Sequence, residues 1–444
     1  MSDISRLHSR WFKMKNQAAS SIPYVFLRDK LSSLCTSKAS WCHNRRHSLE
    51  ELIDSEHDGY WTHPDHQQGW IQWDRNGGPR CLNDWQVSLP WWWYRNFSYP
   101  ALSLVSINRA LAFRDDGIPP KNEITRFPED WAPDYGDVWT DDNHWMRECA
   151  RSGQHQSCVR PDDLADIQNT ATVLKGDSFY LGWLSKNYGH FLVESLSYLW
   201  PLIATDMDIT KVRFVGFPME RDLCVESAPS FLTKAFQQFG IALSEIQLVR
   251  EPVIFERLFV PTPSFHLLQG YCTPMQPTVW QTIQGNHWLK NKSIERKCYL
   301  SRRKYEIANG RPRRPLANEL EVENLFRKYG FEVIYPETLS FEQQLYLYKH
   351  CSVIAGLAGS NMHNAAFMPP DTKVIILAPT SFVVQVDYLI TAPKNIRLYY
   401  YFADSGDVVF DSEQTWKIDL GNLERCLNNS NVLELGEKQV YEGE

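Results

Sequence analysis

The chain has 444 residues, 43% of them hydrophobic and 22% charged, with a formal net charge of -7. That length suits two or three domains and more than one core, which excludes one small domain, and the acidic balance excludes a general nucleic-acid footprint. No stretch approaches the ~18 continuous apolar residues of a membrane span, and "MSDISRLHSRWFKMKNQAAS" lacks the apolar core of a signal peptide, so a cytoplasmic location is expected. Within that N-terminus, "ISRLHSRWFKMK" puts Ile4, Leu7, Trp11 and Met14 on one helical face, with Arg6, Arg10, Lys13 and Lys15 around it. Such a face can lie on an anionic membrane surface or dock on the protein's own core.

Residues 1–165 carry most of the tryptophans, in runs such as "GYWTH", "GWIQW", "NDWQVSLPWWWYRNF" and "DNHWM", and show no sustained period of 2 or 3.6. A loop-rich region is expected there. Its aromatic faces could stack on sugar rings, or Trp91, Trp92 and Trp93 could simply bury large area. From about residue 168 an α/β rhythm begins. "TATVLKG" and "SFYLGWL" read as strands, "YGHFLVESLSYLWPLIA" as a helix, "KVRFVGF" as a strand and "APSFLTKAFQQFG" as a helix; "IQLV" and "VIFERLFV" read as strands. After the connection near "TPSFHLLQGYCTPMQPT" the rhythm restarts. "KCYLS" is a strand, "NELEVENLFRKYG" a helix capped by Asn318, "FEVIY" a strand, "SFEQQLYLYKH" a helix capped by Ser340, and "SVIAG" and "KVIIL" are strands. Two such units in tandem suggest two Rossmann-like domains built on parallel sheets. The ten cysteines include no Cys-x-x-Cys pair, and reduced thiols are expected.

Three constellations fall where ligands bind in such sheets, at the carboxyl ends of strands. In "KNYGHFLVES", His190 opens a helix and Glu194 lies one turn further on the same face. A carboxylate there would hold the imidazole in one tautomer and stabilise its protonated form, as a general base requires. The alternatives are a surface pair of little consequence and a metal site, for which His-x-x-x-Glu supplies only two ligands. In "YLSRRKYEIANGRPRRPLANELE", Arg302, Arg303, Lys304, Arg311, Arg313 and Arg314 follow a strand end. Guanidinium groups so placed suit a diphosphate, and Arg302 is closest to the strand. In "CSVIAGLAGSNMHNAAFMPP", Gly356 and Gly359 precede Ser360 and a short helix beside His363 and Asn364, a backbone pattern that can approach phosphate.

The blocks "NYGHFLVE", "LSRRK" with "RRPLANELE", "YPETLSFEQQ", "GLAGSNMHN" and "FMPPDTKVIIL" resemble, in order and spacing, glycosyltransferase family 61, including its bacterial capsular-polysaccharide branch. The resemblance covers about residues 168 to 385. It implies a GT-B fold and inverting transfer from a nucleotide sugar held by the C-terminal domain. It carries roles to Asn187, His190 and Glu194, to Arg302, to Asn318 and Glu319, to Glu337 and Gln344, and to Gly359, Ser360, His363 and Asn364; Arg303, next to Arg302 in the basic run, is a further substrate-binding candidate. Two positions depart from the family pattern. Ala358 stands where many members have histidine, and an apolar residue in "KVIIL" replaces a glutamate frequent in that strand.

The resulting expectation is an α/β, GT-B architecture of two Rossmann-like domains facing across a cleft, with a Trp-rich N-terminal region over 1–165 that is part of or appended to the acceptor domain, an acceptor domain over 166–290, a nucleotide-sugar-binding domain over 291–415, and a C-terminal helix and tail over 416–444. The partners implied are a nucleotide sugar, as substrate rather than cofactor, and a saccharide or glycolipid acceptor in capsule or other surface polysaccharide synthesis, at the inner face of the membrane if the N-terminal face binds lipid. No metal, cofactor or nucleic acid is expected. His190, oriented by Glu194, would take the acceptor proton, or the two roles would be reversed; Arg302 and the helix start at Ser360 to His363 would hold the leaving diphosphate, and Glu337 would bond to the ribose or base or serve as a cap. A non-hydrolysing nucleotide-sugar epimerase and a non-catalytic saccharide-binding protein are the rival classes.

Overall fold

The computed structural model describes residues 52, 58–71, 79–83, 97–114, 136–150, 157, 159–267, 269–285, 296–305, 314–403, 415–430 and 432–433. The N-terminal amphipathic face, Trp91 to Trp93, Arg311 and Arg313 lie outside them. The chain divides into two compact units. One, the His190 unit, draws on Asp29–Trp70 and Phe97–Gly285; the other, the Arg302 unit, draws on Ile71–Asn96 and Asn286–Glu444.

The His190 unit is built on a seven-stranded mixed sheet. Its path runs Gly59–Thr62, Ser103–Arg114, Val253–Pro261, Thr172–Leu184, Arg213–Pro218, Gln247–Leu248, and Gly136–Trp139 pairs with Ser103–Arg114 off this path. Val253–Pro261, Thr172–Leu184, Arg213–Pro218 and Gln247–Leu248 are mutually parallel. Ser103–Arg114 runs antiparallel to Val253–Pro261 and to Gly59–Thr62. Ile107, Val215, Phe217, Phe255 and Leu258 are buried together in its core. Chain order changes direction between Thr172–Leu184 and Val253–Pro261, so the crevice of this unit opens where those two strands end.

The Arg302 unit carries a six-stranded, wholly parallel sheet in the order Glu332–Ile334, Arg296–Leu300, Cys351–Leu357, Lys373–Pro379, Arg397–Ala403, Arg80–Cys81. Of the five strands that follow one another after residue 295, the first, Arg296–Leu300, sits second in space, and the chain steps to one side of it and then crosses to the other. This is a doubly wound order with its switch point between Arg296–Leu300 and Cys351–Leu357. Tyr299, Phe326, Ile375, Leu377 and Leu423 fill the core on one face.

Three expectations are corrected. The N-terminal third is not only loops, because Ser103–Arg114 is a 12-residue strand inside the sheet and Arg80–Cys81 extends the other sheet. "TATVLKG" and "SFYLGWL" form one strand, Thr172–Leu184, rather than two. Its register slips between Tyr180 and Trp183, around Gly182, which has φ +76° and where a Cβ would meet the Tyr198 ring at 2.2 Å. The helix expected over "YGHFLVESLSYLWPLIA" is broken into a turn of α-helix at Tyr188–His190, a π-helical turn at Phe191–Ser195 and a short helix at Pro201–Ala204. Side chains intercept the carbonyls that a regular helix would use. The Trp280 indole donates to Leu192 O at 2.9 Å and Ser197 Oγ donates to Glu194 O at 2.7 Å.

Candidate functional site

The turn after Thr172–Leu184 is fixed by its own side chains. Asn187 Oδ1 accepts from the backbone of Gly189 at 3.0 Å and of His190 at 3.4 Å, capping the helical turn. Ser185 Oγ accepts from Asn187 N at 3.0 Å and donates to Glu220 Oε1 at 2.7 Å, and Glu220 Oε2 accepts from Lys186 N at 2.8 Å. His190 therefore starts from a defined backbone position at the carboxyl edge. Its Nδ1 is hydrogen-bonded to Glu194 Oε2; the imidazole side chain is 40% exposed and the carboxylate side chain 11%. This is the arrangement expected from the spacing, and the π-helical turn keeps Glu194 inside the protein while its partner reaches the surface.

The structure adds a second histidine that the sequence reading passed over as connection. His266 follows Val253–Pro261, the other strand flanking the switch point, in the short hairpin Phe265–His266 with Tyr271–Cys272 that packs against the π-helical turn. Its Nδ1 accepts from Gln269 N at 3.2 Å, which leaves the proton of the neutral ring on Nε2. Burial pushes His266 down to about 4, against the pull of the Glu194 carboxylate and with a further push from Arg147. At neutral pH Glu194 thus bonds the half-exposed His190 ring, while the buried His266 ring, whose charged form the carboxylate favours, stays uncharged.

In the Arg302 unit, the loops after the two strands at the switch point meet. Arg302 N donates to Glu319 Oε1 at 2.8 Å, fixing the start of its loop to the helix Glu319–Lys328. Gly359 has φ +151°, a conformation that L side chains rarely adopt. A Cβ placed there would lie 3.7 Å from an Arg302 guanidinium nitrogen and 4.0 Å from one of Arg314. Two guanidinium groups from the connection between Arg296–Leu300 and Glu319–Lys328 thus converge over a residue without a side chain. Arg314 is buried, sits at φ +52°, stacks its guanidinium on the Phe382 ring at 3.8 Å, and is anchored by Trp416 Nε1 donating to its carbonyl at 2.8 Å. The basic run named it, but only the fold shows that it, with Arg302, faces Gly359. Gly356 has a different task from the one its motif suggests: a Cβ there would lie 2.9 Å from Leu300 O, so it lets the two strands close.

The remaining candidates divide between this loop cluster and the scaffold. Ser360 is exposed at the loop. The helix beyond it, Met362–Phe367, is a six-residue 3-10 helix, too short for its dipole to attract an anion strongly. His363 Nε2 lies 3.5 Å from Asp387 Oδ1, and Tyr400 donates to Asp387 Oδ2 at 2.9 Å. Burial raises the Asp387 carboxyl to about 7, and the Tyr400 bond opposes the rise. Asn364 Nδ2 donates to Tyr348 Oη at 3.2 Å and to Asn361 O at 2.9 Å. Asn318 does not cap its helix with its side chain; its amide pairs with both backbone groups of Ile418. Arg303 Nε donates to the buried Glu323 at 3.1 Å, as do Arg327 at 3.1 Å and Ser301 at 2.8 Å. Burial raises the Glu323 carboxyl, but the bonds from Arg303 and Ser301 outweigh it and leave it below the usual range. Gln344 Nε2 donates to Pro336 O at 2.9 Å, and Glu337 is exposed in the adjacent turn Pro336–Thr338.

Among the described residues, no group of three or more His, Cys, Asp or Glu is placed to hold a metal ion, and no helix is long and apolar enough to cross a membrane. Residues 188–375 match the family model Glycosyltransferase 61. No curated protein matches the chain. The matched segment begins one residue after Asn187 and takes in His190, Glu194, His266, Arg302, Arg314 and the Gly359 loop, while the partners Phe382, Asp387, Tyr400, Trp416 and Ile418 lie beyond its end. The similarity is to glycosyltransferases and holds for that segment.

Proposed function

We propose that the protein is an inverting glycosyltransferase of GT-B type that moves a sugar from a nucleotide-sugar donor to a saccharide or glycolipid acceptor, in capsule or other surface polysaccharide synthesis at the cytoplasmic side of a membrane. One observation carries the reading. Each unit places reactive side chains at the switch point of its own sheet, an imidazole–carboxylate pair in one and a guanidinium–glycine cluster in the other. Acid–base chemistry and anion binding are the two demands of glycosyl transfer, and neither is needed twice.

In this reading the acceptor hydroxyl oxygen attacks the anomeric carbon while the bond from that carbon to the diphosphate oxygen breaks. The electron pair leaves with the diphosphate, whose charge is met by Arg302 at the Gly359–Ser360 loop. Glu194 binds His190 at Nδ1, so the acceptor proton passes to Nε2, and the carboxylate stabilises the imidazolium that forms. Charge on the leaving group is balanced by guanidinium rather than by a metal. His363, Asn364, Asn318 and Glu319 act by holding the loops, and the exposed Glu337 contacts the ribose or base.

The test is incubation with nucleotide sugars in the presence and absence of saccharide acceptors, following nucleoside diphosphate release and product mass, with the anomeric configuration of the product read by NMR. Acceptor-dependent release with inverted configuration is expected. Interconversion of the nucleotide sugar without acceptor would replace the transferase by an epimerase.

A further inference from the structure

The acceptor side of the His190 unit has a feature outside the family-matched segment. Thr62 pairs with Ser103, and Leu104 pairs with Pro261, so the ends of Gly59–Thr62 and of Val253–Pro261 lie at one edge of the sheet, the edge that carries His190 and His266. The chain continues from Thr62 along this edge, with His63 N donating to Leu102 O at 2.9 Å and Leu102 N to His66 O at 2.9 Å. It then forms Gly69–Ile71, which pairs with Phe97–Tyr99, and Phe97–Tyr99 packs against Tyr271–Cys272 of the His266 hairpin. The exposed side chain on this strand is Trp70.

The local geometry explains why it points outward. A Cβ on Gly69 would lie 2.3 Å from the Tyr99 hydroxyl, so the Tyr99 ring covers the strand at Gly69. The next residue along a strand faces the other way, and Trp70 is 64% exposed although tryptophan is on average a well-buried residue. It is flanked along the chain by exposed Asp65, Gln67 and Gln68, and no other large apolar side chain of residues 58–71 or 97–102 is exposed. A membrane or a protein partner asks for a contiguous apolar patch. A sugar ring asks for one flat aromatic face among polar groups, since its axial C–H bonds are apolar and its rim hydroxyls are not.

We infer that Trp70 is a stacking platform for a pyranose ring of the saccharide acceptor, a subsite beyond the sugar unit that meets His190. The inference rests on the transferase reading for the identity of the acceptor but not for the stacking itself.

The experiment uses the full chain and a set of pyranose tetrasaccharides with gluco, galacto, manno and N-acetylhexosamine configurations, bound to the wild type, Trp70→Ala and Trp70→Phe and measured by titration calorimetry. Trp70→Ala should weaken binding of the recognised tetrasaccharide about three- to tenfold, Trp70→Phe should keep most of it, and the melting temperature should not move, because the ring is exposed. Stabilisation by nucleotide sugars, measured in parallel by thermal shift, should be equal in all three proteins. Equal tetrasaccharide affinity in wild type and Trp70→Ala, or no binding of any member of the set by the wild type, overturns the inference. Failure of every nucleotide sugar to stabilise the wild type would instead remove the transferase reading, and a loss of saccharide binding in Trp70→Ala would still support the platform.

Discussion

Replacing Gly359 by alanine should separate the fold from the anion site. The residue has φ +151°, so the substitution forces a side chain into a strained conformation, at about 1–3 kcal/mol. No steric clash adds to this, because the nearest atoms to the new Cβ are Asn361 Oδ1 at 3.6 Å, Arg302 at 3.7 Å and Arg314 at 4.0 Å, all ordinary contacts. The fold should survive with a melting temperature lowered by several degrees, at roughly 2–4 °C per kcal/mol. Binding should suffer more. The methyl group stands where the two guanidinium groups converge, so a phosphate oxygen is displaced and a charge-assisted contact of about 1.5–3 kcal/mol is lost, a fall of roughly 10- to 150-fold in affinity. Calorimetry with inorganic pyrophosphate and with nucleoside diphosphates reads the effect directly. Arg302→Ala should give a comparable loss without the strain. If Gly359→Ala lowers the melting temperature but binds nucleoside diphosphate as the wild type does, the ligand does not sit over Gly359.

Glu323 should prove structural. Replacing it by alanine takes the shared acceptor from Arg303, Arg327 and Ser301, and the unit should lose about 2–3 kcal/mol, seen as a lower denaturation midpoint. Two buried groups should give the stability opposite pH slopes. The Asp387 carboxyl is raised from 3.8 to about 7 on folding, so the folded state keeps a proton that the unfolded state releases, and this contribution falls as pH rises through that window. His266 is lowered from 6.5 to about 4, so its contribution is present above 6.5 and is lost as pH falls towards 4. Asp387→Asn should remove the first slope and His266→Gln the second, each in its own unit, in melting temperatures measured from pH 4 to 8. A profile unchanged by either substitution would mean that neither group titrates differently on folding.

Much of the scaffold is legible in the sequence because it follows local rules. The strands Arg213–Pro218, Val253–Pro261, Arg296–Leu300 and Lys373–Pro379 read directly as apolar runs, and Ser340 caps Phe341–Lys349 with a full capping box. The His190–Glu194 bond follows from helical spacing. What the sequence conceals depends on distant partners. The π-helical turn arises from Trp280 and Ser197 taking carbonyls, which no period within "HFLVES" reveals. Ser103–Arg114 is hidden by its Trp- and Pro-rich flanks and gains its place through pairing with Val253–Pro261, some 150 residues away. His266 becomes visible only once its hairpin packs against the π-helical turn of its own unit, and the placement of Arg314 only once its segment is brought beside Gly359 in the other unit. Asn318, which reads as a cap, is instead drawn to the backbone of Ile418, 100 residues on.

The central claim is that the His190–Glu194 pair acts as the base in acceptor-dependent sugar transfer, and the most direct test is the transfer rate of His190→Ala, Glu194→Gln and the double variant, with nucleoside diphosphate affinity measured on the same proteins. His190→Ala should slow transfer by ~10²- to 10⁴-fold with affinity nearly unchanged, Glu194→Gln should slow it less, and the double variant should be little worse than His190→Ala. A larger loss in Glu194→Gln than in His190→Ala would make the carboxylate the base, and wild-type transfer by both single variants would contradict the account.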